Sequence, residues 1–296
     1  MVGLVKSHPM FGIFLALFGT LLLTPDALLM RLSGMDGFQM AAWRGMIMGS
    51  VMVAGWAATS HNRRGDLKVL AHRDGLLIVI CQIFNSILFC LGIAMAPVAV
   101  VLLGVASVPV FAACLAWLLI GERTQMSTWM AMIAVLVGIA IAVSGKGHGV
   151  ALDQTALIGA ALGLGVALAL AMNFVVLRAN PVVPIPLTIG CGAWIAGLIS
   201  LAIVGPDALF EGQYVFMLIT GAIVLPVSFF CLSLASRFTH AANVSLLMLL
   251  ETVLGPLWVW FGIGEAPNAR MLIGGAIVVV SLGLYLWHAR REVKPA

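Results

Sequence analysis

Long apolar stretches alternate with short polar breaks along the whole chain. Ten stretches reach about the 20 residues that a helix needs to cross a bilayer: 10–32, 37–59, 74–95, 97–120, 127–145, 156–178, 185–204, 214–236, 240–262 and 268–289. The breaks hold the residues that punctuate helices, among them Ser33-Gly34, Asn62-Arg63-Arg64-Gly65, Asn180-Pro181, Gly205-Pro206-Asp207 and Ala266-Pro267-Asn268. The polar breaks are short loops, so no soluble domain fits between the stretches. The first stretch is too long for the apolar region of a signal peptide. Thr24-Pro25-Asp26 also interrupts it where a small-residue cleavage motif would stand. The pattern therefore predicts an all-α integral membrane protein with ten transmembrane helices.

Composition narrows the class. Of the 296 residues, 62% are hydrophobic and 9% charged, against about a quarter charged in a soluble domain. A water-soluble fold needs a polar exterior that this chain does not have. Thirty-two glycines suit helices that approach closely through small side chains. The net charge of +4 comes without a basic stripe interleaved with aromatics, so no nucleic-acid partner is expected. With the N-terminus inside, Lys6, Arg63, Arg64, Lys68, Arg73, Arg123, Arg178, Arg237, Arg290, Arg291 and Lys294 face the cytoplasm. Only Arg31, Arg44, Lys146 and Arg270 then fall on the outer side. This bias predicts a multi-pass protein of the inner, cytoplasmic membrane with both termini cytoplasmic. Two ends on one side require an even number of crossings. Cys81, Cys90, Cys114, Cys191 and Cys231 lie in apolar stretches without a CxxC pair or a histidine cluster. They read as packing residues, with no metal site and no cofactor.

The halves resemble each other. An offset of 143 aligns Ala99-Val100-Val101-Leu102-Leu103 with Ala242-Asn243-Val244-Ser245-Leu246. The same offset aligns Ala116-Trp117-Leu118-Leu119-Ile120-Gly121-Glu122 with Val259-Trp260-Phe261-Gly262-Ile263-Gly264-Glu265. An offset of 147 pairs Leu15 with Leu162, Asp26 with Asn173 and Arg31 with Arg178. Five crossings per half is an odd number, so residues 150–296 enter the membrane upside down relative to residues 1–149. Inverted repeats suit alternate opening to either side. In the 143-residue register Pro109 faces Thr252 and Pro256 faces Ala113, so the helix-breaking positions are expected to be offset.

The segments from Leu91-Gly92-Ile93-Ala94-Met95-Ala96-Pro97 through Gly121-Glu122-Arg123, and from Leu234-Ala235-Ser236-Arg237-Phe238 through Gly264-Glu265-Ala266-Pro267, carry a family resemblance. They resemble the repeated signature of the drug/metabolite transporter superfamily, with two EamA-type repeats. The resemblance implies a cavity lined mainly by stretches one, three, four, six, eight and nine. It does not name a substrate.

Ionisable residues at bilayer depth need a partner or a wet cavity. Glu251 stands near the middle of stretch nine, with Asn243 and Gly255 on its helical face. Its equivalent in stretch four is Val108, so the acid occurs in one half alone, which favours proton coupling or binding of a cationic group over architecture. Asp26 follows Pro25, where the helix loses a backbone hydrogen bond. It is a candidate for substrate contact or for an ion pair with Arg44 of stretch two. Asn173, its register partner, offers a neutral contact from the other half. Gln82, Asn85 and Ser86 of stretch three and Ser228 of stretch eight are polar at mid-helix; Ser228 matches Asn85 in register. Interhelical hydrogen bonding is the alternative for each. Glu122 and Glu265 read as structural acids at turns into helices, Trp117, Trp258 and Trp260 as interfacial anchors, and Gly45-x3-Gly49 and Gly159-x3-Gly163 as helix-packing sites.

No GxSxG, HExxH or GxxxxGK[ST] motif occurs, and no ring of charges suggests a channel. The expectation is a carrier, not an enzyme, with no catalytic residues. It moves a small amino acid, amine or similar solute by alternating access, as a monomer or homodimer in contact with lipid. A membrane-integral enzyme acting on a lipid-linked or apolar substrate is the rival class.

Overall fold

The computed structural model describes residues 9–96, 98–143 and 154–263, with scattered positions between 273 and 287. The chain forms α1 (Pro9–Leu23), α2 (Asp26–Ser33), α3 (Gly37–Thr59), α4 (Arg63–Leu70), α5 (Arg73–Met95), α6 (Val98–Val105) and α7 (Val108–Ile120). There follow α8 (Met126–Val143), α9 (Gln154–Ala179), α10 (Ile185–Val204) and a 3-10 turn at Ala208–Phe210. The chain continues through α11 (Tyr214–Ile219), a π-helical stretch Thr220–Val224, α12 (Leu225–Phe238), α13 (Ala241–Met248) and α14 (Leu250–Ile263). Among the described residues every regular element is helical.

Six of these stretches are long and apolar enough to cross a membrane: Met10–Ser33, Arg73–Met95, Leu157–Ala179, Ile185–Val204, Tyr214–Phe238 and Ala241–Gly262. Helix α3 has the length, but Gln39, Arg44 and its glycines dilute its hydropathy. Helix α7 is apolar but has only 13 residues, separated from α6 by the break at Ala106-Ser107. The stretch expected at 268–289 is described only at scattered positions, and Glu265, Lys146, Arg270 and both chain ends lie outside the described residues. One element goes beyond the sequence pattern: α4 forms in the polar break 60–72, where Asn62 Oδ1 accepts from Gly65 N–H at 3.1 Å.

Contacts at the two ends of the bundle fix the direction of each helix. At one, here the near end, the Phe11 and Phe238 rings meet edge-on at 5.1 Å. Asn180 Nδ2 donates there to Asp74 at 2.8 Å. At the far end Gln213 N–H donates to the Ser33 carbonyl at 2.8 Å, and Trp43 Nε1 to that of Leu209 at 2.8 Å. So α1–α2, α5, α10 and α13–α14 run from near to far, while α3, α6–α7, α9 and α11–α12 run back.

Backbone geometry repeats at the 143-residue offset. Helix α6 begins and ends 143 positions before α13 does, and α7 ends 143 before α14. Ala96, which closes α5, has φ −134° and ψ 163°; Thr239, which closes α12, has φ −134° and ψ 168°. The breaks within the two crossings, at Ala106-Ser107 and at Leu249, also correspond. The expected offset of helix-breaking positions is therefore corrected: the prolines are out of register, but the breaks are in it. One difference stands. The first crossing is broken before Asp26, whereas α9, which carries Asn173, is continuous.

Close packing joins the halves. A Cβ on Gly45 would lie 2.5 Å from the Ala193 carbonyl and one on Gly49 2.8 Å from that of Gly190, so α3 seats directly on α10. Gly104 meets Gly163 between α6 and α9. Gly12 and Gly19 do the same between α1 and α12. Small residues permit these approaches, which supply the dispersion contacts that hold helices together where lipid removes the hydrophobic drive. Phe11, Phe14 and Phe18 of α1 point outward, as side chains facing lipid do.

Candidate functional site

The breaks in the helices place charge inside the bundle. Asp26 and Glu251 each stand in the first turn of the second half of a broken crossing, α2 and α14. The exposed amides of a helix start favour an acid there. Asp26 is 1% exposed, Arg44 7% and Glu251 6%. All three line one cavity with Gln82, Asn85 and Phe89. In this conformation the cavity volume is about 40 Å³, room for a few waters.

Arg44 organises the site. Its Nη2 donates to Asp26 Oδ2 at 2.7 Å, its Nη1 donates to the Met30 sulfur, and its guanidinium lies 5.7 Å from the centre of the Phe89 ring. Sequence reading found the acid and the arginine but missed Met30 and Phe89. Met30 lies one turn beyond Asp26 and Phe89 one turn beyond Asn85, a spacing that was available as a signal. Asp26 Oδ1 is buried without a hydrogen-bond partner among the described residues. Glu251 makes no hydrogen bond or ion pair among the described residues, yet it interacts electrostatically with both Asp26 and Arg44.

The polar candidates divide. Asn85 faces the cavity and is 5% exposed. Gln82 faces it too, donates to Ser86 Oγ at 3.2 Å and accepts from Asn173 Nδ2 at 3.5 Å. Asn173 thus stands one side chain behind the cavity wall, with its own Oδ1 unpartnered. Ser228 is fully buried at the α1–α12 contact, where its carbonyl approaches Gly19, and its Oγ has no partner. Asn243 lies off the cavity. It accepts from Thr128 Oγ1 at 3.4 Å and donates to Thr239 Oγ1 at 3.2 Å. Among the described residues no three His, Cys, Asp or Glu side chains converge as metal ligands would.

A second charged cluster closes the near end. Glu122 Oε1 accepts from Arg178 Nη2 at 3.0 Å and pairs with His240 Nδ1 at 2.9 Å. Arg178 also donates to the Arg237 carbonyl at 3.0 Å, and Arg237 to that of Val183. Bonding to His240, against the opposing effect of burial and with help from Arg178, pulls the Glu122 carboxyl down to about 2. The helix-terminus role expected for Glu122 is replaced by a bridge between the end of α7, the end of α9 and the start of α13. Trp258, read as an anchor, donates to Thr24 Oγ1 at 2.8 Å and so ties α14 to the break before Asp26.

Comparison with known proteins bears on this geometry. Residues 10–144 match the EamA-like transporter family. No curated protein matches the sequence. A crystal structure of another protein superposes with a TM-score of 0.74 over 95% of this chain and 98% of that one, at 19% identity. At that identity the likeness speaks for the fold alone.

Proposed function

From a chain that belongs, through its residues 10–144, to the EamA-like transporter family of the drug/metabolite transporter superfamily, we propose a secondary carrier of small zwitterionic or cationic metabolites across the cytoplasmic membrane. It works by alternating access. The reading takes ten crossings as two inverted repeats, residues 1–149 and 150–296. The 143-residue correspondence of α6–α7 with α13–α14, and the opposite directions in which those elements run, support it. The observation that carries it is the buried group of Asp26, Arg44 and Glu251 around one cavity, built from both halves. Charges at that depth are expensive in lipid and belong to solute pathways.

The near-end bridge of Glu122, Arg178 and His240 is the closure that must part for the cavity to open on that side. Glu251, which lacks a fixed partner, is the group for coupling to protons or to the cation of the substrate. Both chain ends lie on the cytoplasmic side, following the distribution of lysine and arginine, and the carrier acts as a monomer or homodimer.

The test is counterflow in reconstituted vesicles preloaded with mixed amino acids and amines. Saturable exchange is expected in wild type, with Glu251→Gln lowering the rate at least about tenfold and flattening its pH dependence. Turnover of a lipid-linked substrate in detergent, without exchange, would replace the carrier with an enzyme. Unchanged pH-dependent exchange in Glu251→Gln would remove the coupling role.

A further inference from the structure

Resting on the carrier reading, we propose that the cavity is selective by headgroup: it takes a small organic amine with an apolar body and rejects the same body when it carries a carboxylate.

The charged groups of the cavity are Asp26, Arg44 and Glu251, and they are not equally available. Arg44 is the cation that a carboxylate would need, and it is already engaged. Its Nη2 is bonded to Asp26 and its Nη1 to the Met30 sulfur, with the Phe89 ring against it. A carboxylate there would compete with Asp26 for a single buried cation, and displacing Asp26 would leave it uncompensated, which is strongly unfavourable in a low-dielectric interior.

What the two acids of the cavity leave unmatched are acceptors. Asp26 Oδ1 is buried without a partner among the described residues. Glu251 is 6% exposed and forms no hydrogen bond among the described residues. Asn85, also on the cavity wall and without a hydrogen bond among the described residues, presents a carbonyl acceptor beside its amide donors. An ammonium group brings three donors and no acceptor, the complement of these carboxylate oxygens and of the Asn85 carbonyl. Charge agrees with hydrogen bonding. Asp26 and Arg44 cancel, so an ionised Glu251 leaves one negative charge, which a monovalent cation neutralises. A zwitterion adds no net charge and introduces an anion facing Glu251.

Apart from Gln82 and Ser86, which bond to each other, the rest of the wall is largely apolar, with Phe89, Phe229, Met48, Leu170 and Met248 around the polar group. It suits a hydrocarbon body better than a polyhydroxylated one. Room for only a few waters sets the scale as small, and the methionines provide adaptable walls for a larger body.

The experiment compares headgroups on a constant body with the full-length protein in detergent. Phenethylamine, phenylalanine and hydrocinnamate form one series; isobutylamine, valine and isovalerate form the other. Binding is read by thermal shift and by calorimetry. Each amine is expected to bind about ten- to a hundredfold more tightly than its amino acid, and the carboxylates not at all. Glu251→Gln should lose at least about tenfold in amine affinity, and Asn85→Leu gives the same reading if Glu251→Gln does not fold. Equal or tighter binding of either carboxylate-bearing series overturns the inference, as does amine affinity unchanged in both variants, or no amine binding at millimolar concentration. Vesicle counterflow separates the two claims. Exchange of amino acids without amines leaves the carrier and removes the amine selectivity; amine binding without any exchange leaves the selectivity and removes the carrier.

Discussion

Asp26 and Arg44 form the kind of contact whose worth depends on both members. Each is almost fully buried, and each alone would be a charge without compensation. Removing one partner of such a pair costs about 3–5 kcal/mol, while replacing both with apolar or neutral groups costs far less. Asp26→Asn and Arg44→Met should therefore each lower the melting temperature sharply, and the double variant should recover most of the loss. Additive losses in that cycle would mean that the 2.7 Å pair contributes little. Glu251 differs because no partner holds it. Its substitution by Gln should leave stability nearly unchanged while altering transport. This contrast between a paired and an unpaired acid separates architecture from function, and neither acid reveals it by its place in the sequence.

At the scale of elements, the bundle depends on how closely α3 can lie on α10. Gly45 leaves no room for a methyl group, since a Cβ there would lie 2.5 Å from the Ala193 carbonyl and 2.7 Å from the Gly197 nitrogen. Gly55, on the same helix, has nothing within 4 Å. Gly45→Ala should destabilise by about 1–3 kcal/mol through overpacking. Gly55→Ala should be neutral or stabilising by up to about 1 kcal/mol, through helix propensity. Melting curves of the two variants decide it, and equal effects would show that the α3–α10 approach is not close-packed. The broken crossings are the other lesson at this scale. Pro25 signals the first break in the sequence. The breaks at Ala106-Ser107 and Leu249 have no proline at the break itself, so the sequence pointed to Pro109 and Pro256 instead.

Across the whole molecule, the near end is joined by charge where the middle is joined by packing. The Glu122 bridge connects three crossings, and its strength depends on the carboxylate being ionised. Its value falls from an ordinary 4.5 to about 2 in the folded protein. A group depressed in this way contributes fully above its unfolded value and loses that contribution as pH falls through the folded one. The melting temperature of wild type should thus exceed that of Glu122→Gln at neutral pH. The gap should close progressively below about pH 4.5 and vanish near pH 2. A gap that stays constant down to pH 2 would remove the ion pairs from the account. Partial exposure of the bridge, from 18% at Glu122 to 38% at His240, keeps the effect modest.

Hydropathy, proline positions and the 143-residue register determined that this chain is helical, membrane-embedded and built on corresponding segments, because crossing length and helix closure are local properties of the backbone. The same local logic picked out Asp26, Arg44, Glu251, Asn85 and Gln82 as polar groups at depth. Only the tertiary structure decided which of them meet. It paired Arg44 with Asp26 and left Glu251 open, turned Asn173 onto Gln82, held Asn243 between Thr128 and Thr239, and joined Glu122 to Arg178 and His240. Helical periodicity fixes which residues share a face of one helix. Partners across helices depend on the rotation and offset of whole elements, which glycine contacts hundreds of atoms away impose.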